Sequence, residues 1–176
     1  MSATETQALP AGTWLADKIH SNVGFAVNYM AGTFTGTFSD FDAAVTNGRL
    51  AGSAKVASVQ VKDPNLEAHL QSPDFFDAER NPELSFESKS IESDGEHVKV
   101  DGEITIKGHT EPIAITGAIS GPIKDAYGGE RFGLRLKAVV DRDKFGISWN
   151  NPLPSGEPAL STDVTITADL QLAKQA

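Results

Sequence analysis

The chain has 176 residues, a net charge of −9 and no cysteine, which is long enough for one domain with a substantial core. The acidic balance argues against binding nucleic acid or anionic membrane through a general basic field. Without cysteine there are no disulfides, thiol nucleophiles or thiolate metal sites. Sixteen Gly, nine Pro and regular turn signals suit an all-β domain, and no apolar run approaches the roughly 20 residues that cross a bilayer.

Met1 to Gly12 is polar and is expected to be a disordered segment (1–12) ahead of a single domain (13–174). It lacks a basic start followed by an apolar stretch, so the expected location is cytoplasmic, or periplasmic or secreted where a leader precedes it. From Thr13 onward, apolar residues fall mostly at every second position, the period of half-buried strands. Thr13–Lys18 forms a short first strand. Val23, Phe25, Val27 and Tyr29 share one face of the next, and Phe34 and Phe38 share a face across Gly36. Phe41, Ala43 and Val45 then take the opposite parity, which requires a bend near Ser39-Asp40. Asn47-Gly48 is a two-residue hairpin signal. A second parity switch, from Ala54-Val56 to Val59-Val61, predicts a second bend.

Pro64 to Pro82 breaks the alternation. Leu66 and Leu70 are four apart, Asn65 stands where an N-cap would, and Ser72-Pro73-Asp74 offers a second start. One or two helical turns over about 65–78 are predicted there. Strand pattern resumes at Leu84–Ser88 and continues through Val98, Val100, Gly102, Ile104 and Ile106. It turns at Gly108-His109 into Ile113, Ile115 and Ile119, and again at Tyr127-Gly128-Gly129 into Phe132, Leu134, Leu136, Ala138 and Val140. A loop rich in Asn, Pro and Gly precedes a last strand bearing Val164, Ile166, Ala168, Leu170 and Leu172. Eight or nine long strands, each with one apolar face, make a two-sheet sandwich or an up-and-down barrel. Length, bends and local connections favour the barrel. An eight-stranded barrel has an interior that side chains can fill or that one small ligand can occupy.

Reactive groups are sparse. His20, His69, His97 and His109 show no metal-ligand spacing, so no metal or cofactor is expected. Gly146-Ile-Ser-Trp-Asn150 approaches a nucleophile elbow but lacks its second glycine and its strand-to-helix setting, which makes Trp149 a structural residue and gives Ser148 little chemical promise. Asp141 and Asp143 fall on one side of an extended chain. Together with His20 or His69 they define the enzymatic alternative, a barrel used as a reaction chamber by acid–base groups. Against it stands a strand ending in a solvated turn with Arg142 paired locally. The apolar inventory is the stronger signal, with small residues set among large ones. Alternation alone leaves a filled and a hollow barrel both open, and a register slip of one residue would exchange inside for outside.

Five blocks in order resemble the YceI-like family of polyisoprenoid-binding, lipocalin-like proteins. They are Trp14–Phe25, Gly32–Phe41, His69-Leu-Gln-Ser-Pro-Asp-Phe-Phe-Asp77 with Pro82 and Phe86-Glu-Ser88, Gly102–Gly108, and Asp141-Arg-Asp-Lys-Phe-Gly-Ile147. The resemblance runs from Thr13 to Leu172. It implies an antiparallel eight-stranded lipocalin-like barrel that binds rather than catalyses. The implied ligand is an elongated amphiphilic lipid, a polyisoprenoid or isoprenoid quinone, carried or sequestered in an apolar interior. Capture of other lipophiles such as antibiotics is a variant, and homodimers occur among such proteins. The expected lining is Phe25, Val27, Phe34, Phe38, Phe76, Phe86, Ile104, Phe132, Leu136 and Trp149. Two positions depart from the family pattern: Leu66-Glu67 stand where Arg-Asp is usual, and Tyr29 where His is common. A head-group cation is therefore missing, with Lys62 and Arg80 as candidate substitutes.

Overall fold

Turn chemistry sets the register of the sheet. Asn47 and Gly48 have φ of 50° and 82°, the left-handed pair of a type I′ hairpin whose twist matches the flanking strands. Lys107 and Gly108 repeat it at 52° and 76°. That places the turn one residue before the Gly108-His109 position expected, because the next strand already begins at His109.

The structure, a computed structural model, describes residues 9–175. Its strands are β1 (Thr13–Ala16), β2 (Asn22–Tyr29), β3 (Gly32–Phe38), β4 (Phe41–Thr46), β5 (Arg49–Lys55), β6 (Val59–Gln60), β7 (Glu83–Asp94), β8 (His97–Ile106), β9 (His109–Lys124), β10 (Glu130–Asp141) and β11 (Leu160–Lys174). One helix, α1 (Pro64–Gln71), separates β6 from β7. These 11 segments amount to eight staves. β1 and β2 follow one another along β11, with Leu172 opposite Ala16 and Ile166 opposite Phe25. β4 and β3 lie beside that pair, and β5 and β6 beside them. Pairing of β10 with β11 from Arg131↔Ala173 to Asp141↔Asp163 closes the ring. The fold is a closed eight-stranded antiparallel barrel with one short helix.

The three interrupted staves break at neighbouring points. Ser39 N–H donates to Ser58 O at 3.1 Å, and Lys55 N–H to Asp40 O at 2.8 Å. These are the two bends that the parity switches predicted, and with the break at residues 17–21 they form a corner where the sheet curls.

The cap of α1 is Asp63 rather than Asn65: its carboxylate accepts from Asn65 N–H at 2.8 Å, with Pro64 in the first turn. Ser72-Pro73-Asp74 starts a turn instead of a second helix, closed by Phe75 N–H to Ser72 O at 3.0 Å. Of the segment expected to be disordered, residues 1–8 lie outside the described residues. Leu9 is buried in the core, and Ala11 O accepts the Trp14 indole N–H at 3.0 Å.

The barrel is packed unequally along its axis. At one end Trp14, Val45, Phe132, Leu134 and Leu172 are all fully buried, and Trp14 meets Phe132 edge-on with centroids 4.8 Å apart. An ionic knot covers this end. Arg131 donates to Asp17 and Gln171, both at 2.7 Å, and to Asp125 at 3.1 Å. Hydrogen bonds from His20 and Arg131 hold the Asp17 carboxyl well below the usual carboxylate range.

Candidate functional site

The other half of the barrel is hollow. A cavity of about 350 Å³ is lined by residues from every stave of the barrel and from α1. Its wall is overwhelmingly hydrocarbon, and its size falls at the small end of the ~300–1,000 Å³ typical of ligand pockets.

Alternation generates the wall. Val23, Phe25 and Val27 face Val164, Ile166 and Ala168 across the β2–β11 ladder, and all six line the cavity. Phe25 sits at the centre of an aromatic group, with ring centroids 6.0 Å from Phe34, 5.9 Å from Phe38 and 6.1 Å from Phe76. Glycine shapes this wall: a Cβ at Gly36, opposite Phe25, would stand 2.7 Å from that ring. A ring laid over a glycine stays against the wall and leaves the lumen open.

A cap of three pieces closes the hollow end. α1 contributes Leu66, His69 and Leu70, the following turn contributes Phe75 and Phe76, and the loop after β10 contributes Ile147 and Trp149. The His69 ring stands edge-on to Phe75 and Trp149, 4.9 Å from each, and its Nε2 lies 3.1 Å from Asp74 Oδ2. Lys107, on the β8–β9 turn, donates to Pro73 O and Gly146 O and so ties the two cap segments together. Asn150 stitches the base of its loop by accepting from Ala159 N–H at 2.9 Å and donating to Leu160 O at 2.8 Å.

Arg142 anchors that loop from within. It is 4% exposed and donates to four main-chain carbonyls: Ile147 and Trp149 at 2.8 Å, Ser161 at 2.8 Å and Leu160 at 3.1 Å. Burial pushes its guanidinium below its ordinary range, while Asp143 and Asp141 act in the opposite direction. It remains a cation, as arginine does throughout proteins.

Phe25, Val27, Phe34, Phe38, Phe76, Phe86, Ile104, Leu136 and Trp149 line the cavity as expected. Phe132 does not. It faces inward but lies at the filled end against Trp14, because alternation gives the face of a strand and not the height along the axis. Lys62 and Arg80 are exposed and do not line the cavity. Lys137 borders the cavity but is exposed; the buried cation that lines it is Arg142, which a run of Asp-Arg-Asp-Lys disguises as a surface turn. Its burial depends on carbonyls supplied by residues up to 19 positions away. Tyr29 also reaches the cavity.

The groups required by the enzymatic reading do not converge. Asp141 caps the turn of Arg142–Phe145 by accepting from Asp143 N–H at 3.0 Å. Asp143 is exposed, and His20 lies at the opposite end of the barrel, 2.7 Å from Asp17. Of the four, only His69 lines the cavity. Ser148 is exposed and belongs to the cap loop.

The family model for the YceI-like domain matches residues 14–172. The chain belongs to the YceI-like family. Among its bacterial relatives, a UPF0312 protein of Pseudomonas putida is 32% identical over 137 residues, covering 73% of this chain and 71% of that one. The Campylobacter jejuni YceI protein has a solved structure that superposes with a TM-score of 0.71 at 27% identity, over 80% of this chain and 85% of that one. A polyisoprenoid-binding domain from Saccharophagus degradans shares the fold at a TM-score of 0.72 and 11% identity, over 94% of this chain and all of the other (100%). The resemblance read from the sequence blocks is thus confirmed for family and fold.

Proposed function

We propose that this YceI-like barrel is a non-catalytic carrier or sequestering protein for an elongated amphiphilic lipid, a polyisoprenoid or isoprenoid quinone, held with its tail in the hollow half. One observation carries the reading: a hydrocarbon-lined cavity of about 350 Å³ beneath a cap of segments separate in sequence. A packed barrel has no reason to leave such a space, since close packing of its interior would stabilise it. The polyisoprenoid-binding neighbour supports the choice of lipid class.

Burying hydrocarbon stabilises a complex by roughly 0.8 kcal/mol per CH₂, and drug-sized ligands realise about 0.3 kcal/mol per atom. At a water-like ~30 Å³ per methylene-sized group, the closed cavity accepts on the order of a dozen carbons. A longer prenyl chain must then lift the cap or extend past it. The seam between the helix with its turn and the loop after β10 is suited to this, because one lysine bridge and the contacts of Trp149 with His69 and Phe75 span it, while Arg142 and Asn150 keep the loop fixed to the barrel.

Organic extraction of the purified protein followed by mass spectrometry tests the proposal. A lipid recovered from wild-type protein and lost in a folded Phe76→Asp variant is the expected result. A wild-type protein that yields no lipid and binds none added would refute it.

A further inference from the structure

The chemistry at the top of the cavity selects a head group. A guanidinium has five N–H donors, and Arg142 spends four of them on the carbonyls of Ile147, Trp149, Leu160 and Ser161. Nη1 makes two of these bonds and Nη2 makes one, to Leu160, so among the described residues one N–H of Nη2 has no protein partner. The side chain lines the cavity. Among the described residues no carboxylate oxygen lies within 4.0 Å of it; Asp141 and Asp143, its neighbours in the chain, act on it only from beyond that distance. Carbonyl dipoles stabilise a buried cation without neutralising it, so one positive charge remains beside an apolar lumen. The other charged or titratable groups along the wall are Asp42, His69 and Lys137, with Tyr29. Asp42 is engaged by Lys18 at 2.8 Å, His69 by Asp74 at 3.1 Å, and Lys137 is exposed.

Resting on the lipid-carrier reading above, we infer that the ligand's head group is an acceptor without donors, best a monoanionic carboxylate, seated against the free Nη2–H of Arg142. The number of charges favours one carboxylate over a phosphate monoester. A phosphate carries about −1.5 to −2 at pH 7 and three strong acceptor oxygens, and one N–H and one positive charge leave most of that unsolvated. An ammonium head would meet the guanidinium with like charge and nothing to accept its protons. A hydroxyl head falls between, accepting the N–H but bringing no charge to balance the guanidinium. A quinone carbonyl accepts without donating and is admitted by the same rule. The position agrees with an amphiphile whose tail points down the barrel, since Arg142 lies at the capped end and the wall below is hydrocarbon.

Isothermal titration of the full chain at pH 7.5 with sodium dodecanoate, dodecanol, dodecyl phosphate and dodecylammonium chloride tests this, the four sharing one tail. Dodecanoate is expected to bind tightest, at least tenfold tighter than dodecylammonium, with dodecyl phosphate weaker than dodecanoate. In Arg142→Met, if folded by circular dichroism, the gap between dodecanoate and dodecanol closes while dodecanol still binds. Should the variant fail to fold, the wild-type series decides alone. Binding of dodecylammonium or dodecyl phosphate as tight as that of dodecanoate overturns the head-group assignment and leaves the carrier reading standing. Failure of all four to bind removes both.

Discussion

The two halves of the barrel share one strand set and one alternation, yet one is filled and the other hollow. At the filled end the inward positions carry Trp14, Phe132, Leu134 and Leu172, all fully buried, with Trp14 edge-on to Phe132. At the hollow end the inward positions mix large rings with Gly36, Ala54, Ala138 and Ala168, and the rings lie along the wall. Closure differs too. The filled end is covered by the charge knot of Asp17, Asp125 and Arg131, the hollow end by a helix, a turn and a loop that Arg142 and Asn150 fix at its base. An eight-stranded barrel has just enough interior for side chains or one small ligand, and here side chains fill one half while the other keeps a cavity. The large fully buried side chains are concentrated where Trp14 sits, and the proposed ligand site where Trp149 sits.

Truncation sharpens the contrast most. Trp14→Ala should cost about 3–5 kcal/mol of unfolding free energy, the range for large aromatic truncations in tight cores, read from the urea midpoint. Phe34→Ala, on the half-buried wall of a space already open, should cost about 1–2 kcal/mol by the same measure and lower lipid affinity. Equal costs at the two sites would contradict the division.

Filling gives the converse. Ala168→Leu adds bulk where the cavity has room, so it should leave stability within about 1 kcal/mol of wild type while reducing lipid binding. Val45→Phe at the packed end should cost about 1–3 kcal/mol through overpacking. Thermal melts paired with lipid titrations separate the two outcomes.

The smallest expected effect is acid sensitivity at the filled end. The folded-state pKa of Asp17 is depressed, first by His20 and then by Arg131. Its contribution is therefore fully present above the unfolded carboxylate pKa of ~3.9 and is lost as pH falls below that toward the folded value. Asp17→Asn should narrow the gap in urea midpoint to wild type as pH drops below about 4, with a constant gap above pH ~5. A gap that widens in acid would contradict the knot.

Much of the strand architecture lay in the sequence, in residues whose cause is local, while the division into a filled and a hollow half did not. Parity switches near Ser39-Asp40 and between Val56 and Val59 marked the corner, because a bend must exchange faces. Asn47-Gly48 marked a hairpin because two consecutive left-handed residues need such a pair. Alternation grouped the wall residues by face, but left open which face points inward and whether the interior is filled. What stayed hidden depends on distant partners. Phe132 matched the wall in parity and differs only in height, which register with Leu172 and contact with Trp14 decide. Arg142 looked like a solvated charge because its four acceptors come from the loop that follows it and from the start of β11. Asp63 took the cap from Asn65 by a shift of two residues, within what local pattern resolves.

The division itself is open to direct measurement by methyl NMR of protein labelled at Ile, Leu and Val, titrated with farnesol. Shifts confined to Val164, Ile166, Ile104 and Leu136, with Val45, Leu134 and Leu172 unmoved, are the predicted result. Shifts of equal size at the filled end, or no shifts at all, would contradict a barrel that is half core and half binding site.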